Sequence, residues 1–134
     1  MPAALLDTNA VSDLMRDDPN VKGRIATHAD PILTSVVVVG EIRYGLDRIP
    51  AGKKRADLEM RARAILGAVR IEPVTEQMGQ AYGSLKASLE AQGLNLDDND
   101  LWIAAAALAL GTVLITRDQI FAKIPGLPVE DWSV

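Results

Sequence analysis

Short apolar runs alternate along this chain with longer stretches in which apolar residues recur every three or four positions. The short runs predict strands near residues 3–6, 31–34, 69–73, 112–116 and 127–130, of which the first and fourth read as buried. The longer stretches predict helices near residues 9–16, 20–28, 35–47, 53–67, 75–92 and 99–110, followed by a short helical turn after residue 118. Because helices separate successive strands, the predicted fold class is α/β: a three-layer sandwich with a mainly parallel sheet.

No repeat, low-complexity tract or long linker interrupts this pattern. With 134 residues and 49% hydrophobic composition the chain can build a well-packed core, so we expect one domain over residues 1–134. The longest uncharged stretch, residues 101–116, is shorter than the ~20 apolar residues of a membrane span, and the N-terminus carries no recognisable targeting segment. We therefore expect no membrane association and a cytoplasmic location, which the absence of cysteine also suits.

The residue types that are missing restrict the chemistry. Without cysteine there is no thiolate nucleophile and no thiolate metal site, and His28 is the only histidine. We expect His28 to lie near the end of the helix that starts at about Asn20, where an imidazole suits the helix dipole. Histidine-based catalysis and zinc sites built from imidazole and sulfur are therefore disfavoured.

Four acidic residues, far apart in the sequence, occupy places where an α/β fold puts its active site. Asp7 follows the first predicted strand, and Asp118 follows the fourth. Asp100 lies at the start of the last long predicted helix, and Glu41 lies within the third. Ligands of open α/β sheets bind beyond the carboxyl ends of the strands, so these carboxylates are expected to converge there.

Each acid also has a structural interpretation. Asp7 and Asp118 have the type and position of helix N-caps. Asp97 and Asp100 have the spacing of a capping box and share a helix face, whereas Asp98 points away by about 200° of rotation. Helical periodicity leaves open which of these three carboxylates meets a metal.

Glu41 is the acid that a structural role explains least well. If Ser35 caps the helix, Glu41 falls in line with Val37, Val38 and Gly45 on a stripe that should face inward. A carboxylate turned toward a core needs a partner, and Arg43, two residues away, lies on another face. A functional role is therefore expected for Glu41.

Converging carboxylates without histidine or thiolate favour a hard cation, Mg²⁺ or Mn²⁺. Such a site suits hydrolysis of a phosphodiester by water, which leaves 5′-phosphate and 3′-hydroxyl ends. Glycoside hydrolysis by paired carboxylates is disfavoured, because only five aromatic residues are available to line a sugar cleft. A Mg²⁺-dependent phosphotransfer protein is a second candidate, but Asn9 stands where a dehalogenase-type phosphatase needs its second aspartate; covalent phosphorylation of Asp7 would identify it.

Four segments of the chain together resemble the PIN-domain ribonucleases, and most closely the VapC-type toxins of toxin-antitoxin pairs. The residues that carry the resemblance lie at 6–9, 40–46, 99–105 and 116–121, with a further likeness at 124–132. Where relatives often carry histidine this chain has Ala106, and where many carry two asparagines it has Arg117 and Asp118. Both departures keep every carboxylate of the motif.

The resemblance implies a PIN fold, a magnesium-dependent endoribonuclease, neutralisation by a cognate antitoxin and a homodimer. It also implies which residues form the site. The acidic metal ligands would be Asp7, Glu41, Asp100 and Asp118, with polar support from Thr8, Asn9 and Thr116. A catalytically inactive PIN fold that serves only as an interaction module remains the main alternative.

Charge alone does not indicate a nucleic-acid partner. The chain has 14 basic and 18 acidic residues, a net charge of −4, so RNA binding must depend on local asymmetry. Residues 43–70 hold an excess of basic side chains, which makes Arg43, Lys53, Lys54 and Arg55 candidate RNA contacts. An ordinary solvated helix face explains this excess equally well.

Apolar residues on the helices near 35–47 and 53–67 predict a groove for an antitoxin helix. Leu46 and Leu58 are examples, and charged substitution of both would test the groove. Core packing is the alternative explanation for each of these side chains.

Overall fold

The structure is a computed structural model that describes residues 3–134. Its strands and helices follow the order expected from the sequence. The strands are β1 (Ala4–Leu6), β2 (Ile32–Ser35), β3 (Arg70–Glu72), β4 (Val113–Ile115) and β5 (Val129–Glu130). The helices are α1 (Thr8–Met15), α2 (Pro19–Thr27), α3 (Val36–Asp47), α4 (Lys53–Ala68), α5 (Glu76–Ala91) and α6 (Asp98–Leu110), followed by a 3-10 helix at Gln119–Lys123.

The five strands form one parallel sheet in the order β3-β2-β1-β4-β5. β1 occupies the centre, where Leu5 pairs in register with Leu33 of β2 on one side and with Leu114 of β4 on the other. Helices flank the sheet, as parallel strands joined by helical crossovers require. The prediction of an α/β sandwich with a mainly parallel sheet is confirmed.

The core is centred on β1, β4 and the alanine-rich helix α6. Every residue of β1 and β4 is buried, and α6 packs on β4, α3 and α5. The buried run from Ala104 to Ala107 lets α6 approach its neighbours closely, because alanine adds little bulk. Burial of Leu5 and of Leu6 stabilises the fold by about 1.5–3 kcal/mol each. This packing fixes the strand ends from which the site is built.

Two local predictions had different outcomes. His28 lies at the C-cap of α2, as expected, and its ring packs 5.2 Å from that of Trp132. Asp97 is the N-cap residue of α6, but its side chain makes no capping hydrogen bond, so the predicted capping box with Asp100 is wrong. Among the described residues, no helix is long and apolar enough to cross a membrane.

Candidate active site

An acidic residue follows each of two neighbouring strands at the centre of the sheet. The chain fills the sheet from β1 outward through β2 and β3 and then returns to the other side for β4 and β5. The strand order therefore reverses between β1 and β4, and the crevice at such a reversal is the usual ligand site of open α/β sheets. Asp7 directly follows β1, and Asp118 lies in the loop after β4.

Asp7 is buried at this crevice and also caps a helix. Its side chain is 3% exposed, and its Oδ1 accepts a hydrogen bond of 2.8 Å from the backbone N–H of Ala10 in α1. Burial raises the pKa of Asp7 to about 6; hydrogen bonds from Thr116 and Ala10 oppose the rise, and the charges of Asp118 and Asp13 add to it. The capping interpretation is correct, but it does not account for a buried carboxylate that faces other acids.

Thr116 connects Asp7 to the loop that carries Asp118. Thr116 is buried; its side chain bonds to Asp7, and its Oγ1 accepts 3.0 Å from the backbone N–H of Asp118. Asp118 itself is exposed and caps the 3-10 helix, accepting 3.1 Å from the N–H of Ile120 through Oδ1. A carboxylate accepts several bonds at once, so capping leaves both aspartates able to bind a further group.

Glu41 reaches the same crevice from α3. Ser35 caps α3 as predicted, its Oγ accepting 3.1 Å from the N–H of Val37, and this turns Val38 into the core. Glu41 is half-buried and Gly45 is exposed, so the predicted inward stripe is wrong at both positions: Glu41 lies on the flank of the helix. The partner that its carboxylate requires is a hydroxyl, and no arginine pairs with it among residues 3–134.

Thr8, the first residue of α1, supplies that hydroxyl. Its Oγ1 donates a hydrogen bond of 2.5 Å to Oε1 of Glu41. Asn9, next to it, is half-buried and makes no hydrogen bond through its side chain to another residue of the described chain. Thr8 therefore fixes the Glu41 carboxylate, whereas Asn9 has no such structural task.

Asp100 completes the set from the first turn of α6. Partial burial raises its pKa to about 6, and the negative charges of Asp97, Glu41, Asp118 and Asp7, in that order, raise it further. Carboxylates from four separate parts of the chain therefore influence one another through a common space.

Asp98 faces away from this space. Its Oδ1 accepts 2.8 Å from the hydroxyl of Tyr82 and lies 3.6 Å from Nζ of Lys86, both on α5. The different directions predicted for Asp97 and Asp98 agree with these contacts. The charge of Asp97 raises the pKa of Asp100, whereas the carboxylate of Asp98 contacts α5.

The composition of the site fits a hard divalent cation. All its candidate metal ligands are carboxylates, and a cation would relieve the repulsion that adds to burial in raising the pKa of Asp100. Among residues 3–134, no three acidic side chains already lie close enough together to ligate one ion directly. Mg²⁺ commonly keeps several waters and takes one or two carboxylates, so this spacing suits an ion held partly through water.

The candidate RNA contacts of the basic segment divide into two groups. Arg43 bonds to Asp47 at 2.7 Å and to Glu59 at 2.5 Å, and Arg55 lies 3.0 Å and 3.5 Å from the same two acids. The positive charges of the two arginines are thus balanced locally by the negative charges of the two acids. The other two candidates, Lys53 and Lys54, are exposed and form no ion pair with a described residue.

A further charged group beside the site was missed from the sequence. Asp13 of α1 raises the pKa of Asp7 by its charge and pairs with Arg117 at 3.3 Å and with Arg16 at 3.9 Å. The spacing of Asp13 and Arg16 is visible in the sequence, but it is that of any surface pair on a helix. Nothing in the sequence pattern indicates the pairing with Arg117.

The chain belongs to the PIN domain family, whose pattern it matches over residues 4–127. This match spans every element described above except β5.

Named relatives indicate which group of PIN-domain proteins this chain is most similar to. The chain is 32% identical over 131 residues to the VapC ribonuclease Y4jK of Sinorhizobium fredii, an alignment that covers 93% of this chain and 94% of the relative. Its fold superposes on VapBC2 of Rickettsia felis, solved bound to a promoter DNA fragment, with a TM-score of 0.88 and 26% identity, covering 97% and 98% of the two chains. VapBC-5 of Mycobacterium tuberculosis, described as a member of the VapBC family of toxin-antitoxin systems, gives a TM-score of 0.77 at 26% identity, covering 98% of each chain.

Proposed function

We propose that this protein is the toxin of a VapBC-type toxin-antitoxin pair and acts as an endoribonuclease that hydrolyses RNA phosphodiesters. The observation that carries the proposal is the convergence of carboxylates at the strand-order reversal of a PIN-family chain. Charges from Asp97, Glu41, Asp118 and Asp7 all act on Asp100 there. Relatives that align with nearly the whole chain bear the name VapC ribonuclease.

The proposed roles of the site residues follow from their contacts. Asp7, Glu41, Asp100 and Asp118 would hold a divalent cation, Mg²⁺ or Mn²⁺. When bound, such an ion supplies an activated water and neutralises charge that develops on the phosphate.

The chain's own polar groups preorganise these carboxylates. Thr8 orients Glu41 through its hydroxyl, and Thr116 links Asp7 to the Asp118 loop. Asn9 is a half-buried side chain whose amide is available to the substrate. Water attack by this route leaves 5′-phosphate ends on the RNA fragments.

The antitoxin partner is proposed to bind the groove between α3 and α4. This groove has a volume of about 400 Å³ and a largely apolar lining that includes Ile42, Leu46, Leu66, Gly67 and Ile71, together with the charged residues Arg43, Glu59 and Arg63. An amphipathic helix laid into an apolar groove of this kind is a common mode of recognition. We also expect a homodimer and a cytoplasmic location.

Cleavage of RNA by the purified protein tests the central proposal. A panel of structured and single-stranded RNAs is incubated with Mg²⁺ or Mn²⁺, beside EDTA and the variants Asp7→Asn, Glu41→Gln and Asp100→Asn. We expect cutting that disappears in every one of these controls, and products that carry 5′-phosphate and 3′-hydroxyl ends.

Three other results would contradict the proposed ribonuclease function. Fragments that end in 2′,3′-cyclic phosphate would show that the ribose hydroxyl is the nucleophile. Cutting that survives all three substitutions would come from another site or another protein. A chain that binds antitoxin but neither metal nor RNA would be an inactive interaction module.

A further inference from the structure

Two arginines meet on one shielded carboxylate at the edge of the acidic site. Asp13 has a side chain only 13% exposed, and Arg117 and Arg16 approach it through Nε and Nη1 at 3.3 Å and 3.9 Å. The arginine side chains are themselves 46% and 67% exposed. Asp13 thus pairs with the Nε side of the Arg117 guanidinium and, at a longer distance, with the terminal Nη1 of Arg16, and both arginine side chains remain partly exposed to solvent.

Both arginines lie beside the proposed metal ligands. Arg117 lies between Thr116 and Asp118 in the loop after β4. Arg16 lines a cleft of about 260 Å³ together with Thr8 and Glu41. Arg16 therefore shares a cleft with Glu41, and Arg117 belongs to the loop that carries Asp118.

Local charge balance distinguishes this group from the basic segment on α3 and α4. Arg43 and Arg55 face two acids, Asp47 and Glu59, so their charges cancel. Arg16 and Arg117 share a single acid, so a positive charge remains beside a site that is otherwise negative. RNA binding depends on such cations, because phosphate contacts supply most of its non-specific affinity.

We propose that Arg16 and Arg117, positioned by Asp13, form a clamp that binds the RNA phosphates flanking the one that is cut. The inference rests on the proposed ribonuclease function and adds the residues that hold its substrate. A guanidinium that pairs with a carboxylate through one nitrogen keeps its remaining N–H groups available to phosphate oxygens. The clamp keeps the RNA backbone across the acidic site despite the net negative charge of the chain.

The test compares two double variants that remove the same charge. Arg16→Gln/Arg117→Gln removes the clamp, and Arg48→Gln/Arg70→Gln removes two exposed arginines of α3's C-cap and β3. For RNA binding, both are made in a Glu41→Gln background, so that RNA is bound without being cut; for metal binding, both retain Glu41. Fluorescence anisotropy with a labelled single-stranded RNA in Mg²⁺ measures affinity over a salt series, and calorimetric titration with Mn²⁺ measures metal binding separately.

We expect the clamp variant to bind RNA roughly tenfold more weakly and to reduce the salt slope of log K by about 1.4, as the loss of two phosphate contacts to a single strand requires. Mn²⁺ affinity and the circular dichroism spectrum should match those of the control variant. Equal RNA affinities and salt slopes for the two double variants would overturn the inference and leave the proposed function intact. Failure of the unsubstituted chain to bind or cut any RNA would instead overturn the proposed function.

In the proposed clamp, Asp13 positions Arg16 and Arg117, and a separate substitution tests this role. Asp13→Asn removes a negative charge beside the RNA path, so a purely electrostatic effect predicts tighter binding. Loss of positioning predicts weaker binding, by at least twofold, together with a rise in KM at nearly constant kcat in the otherwise unsubstituted enzyme. Tighter or unchanged binding would remove Asp13 from the clamp.

Discussion

Asp7 performs two tasks with opposite energetic consequences. Its bond to Ala10 stabilises the start of α1, yet its charge is buried beside other acids. Because the folded-state pKa of about 6 exceeds the ordinary value of 3.8, folding binds a proton between these pH values. Stability from this group is present in full below about pH 4 and is lost as pH rises through about 6.

Asp7→Asn should therefore stabilise the metal-free protein at neutral pH, because asparagine keeps the cap and removes the charge. We expect a gain of about 2–3 kcal/mol in the free energy of unfolding at pH 7.5, shrinking toward zero near pH 4. Urea unfolding in EDTA at a series of pH values measures it. Glu90→Gln, an exposed acid of α5, is the control; a gain for Asp7→Asn that does not vary with pH would contradict the assignment.

Thr8 is a residue whose hydroxyl has one clear task, the bond to Glu41. Thr8→Val keeps the shape of the side chain and removes the donor, so Glu41 loses its fixed orientation. We expect Mn²⁺ affinity and RNA cleavage each to fall by about tenfold, the usual effect of losing a hydrogen bond to a metal ligand. Isothermal titration and initial cleavage rates measure these effects.

Thr8→Ser is the matched control because it retains the hydroxyl, and it should remain close to the unsubstituted chain. Full activity of Thr8→Val would show that Glu41 needs no orientation.

At the scale of elements, α3 and α4 offer a groove whose walls belong partly to the core. Leu46 is only 5% exposed, so Leu46→Glu would disrupt folding instead of testing antitoxin binding. Gly67 of α4 is a better position. A Cβ atom at Gly67 would meet no atom within 4 Å, so the backbone has room for a side chain at this position, which lines the groove.

Gly67→Arg should therefore abolish capture of the antitoxin while leaving RNA cleavage unchanged. The physical reason is steric and electrostatic: a long charged side chain occupies the place of an apolar helix face. Co-purification of the tagged toxin with its antitoxin measures the effect. Gly23→Arg on α2, where an added Cβ atom also meets no atom within 4 Å, is the control. Undiminished capture by Gly67→Arg would place the antitoxin on another surface.

Much of the element pattern could be predicted from the sequence because apolar runs and helix caps are local signals. β1 and β4 are buried on both faces, so they read as uninterrupted apolar runs, and Ser35 caps α3 as its residue type suggests. The convergence of Asp7 and Asp118 followed from the same logic, since both follow adjacent parallel strands. That residues 1–134 form a single domain remains a prediction.

Contacts between distant side chains could not be predicted in this way. Arg43 joins Glu59 from another helix, and Arg117 joins Asp13 from the opposite end of the chain. Neither pairing leaves a periodic pattern in the sequence, so a count of basic residues included Arg43 and Arg55, whose charges are neutralised by neighbouring acids. The hydroxyl partner of Glu41 was missed for the same reason.

At the scale of the whole molecule, the proposed metal site predicts that a divalent cation stabilises the fold. Any ion that binds only the folded state stabilises it by mass action, about 2.7 kcal/mol at a hundredfold excess over Kd. We expect Mn²⁺ at that excess to raise Tm by roughly 5–10 °C. Differential scanning calorimetry with and without Mn²⁺ measures the shift.

The Asp7→Asn variant should show little of this rise in Tm on addition of Mn²⁺. The rise in Tm with Ca²⁺ in place of Mn²⁺ measures how well the site accepts a larger ion. An equal rise in Tm for Asp7→Asn and the unsubstituted chain would place the ion elsewhere.

The central position of β1 has a consequence for how the protein folds during its synthesis on the ribosome. β1 is made first, but its neighbour β4 follows more than a hundred residues later, and Asp118 comes after that. A nascent chain that still lacks β4 has neither a complete sheet nor a complete acidic site. Pairing of β1 with β4 across so long a loop is also intrinsically slow. The proposed nuclease site can therefore form only after β4 and Asp118 have been synthesised and β4 has joined the sheet.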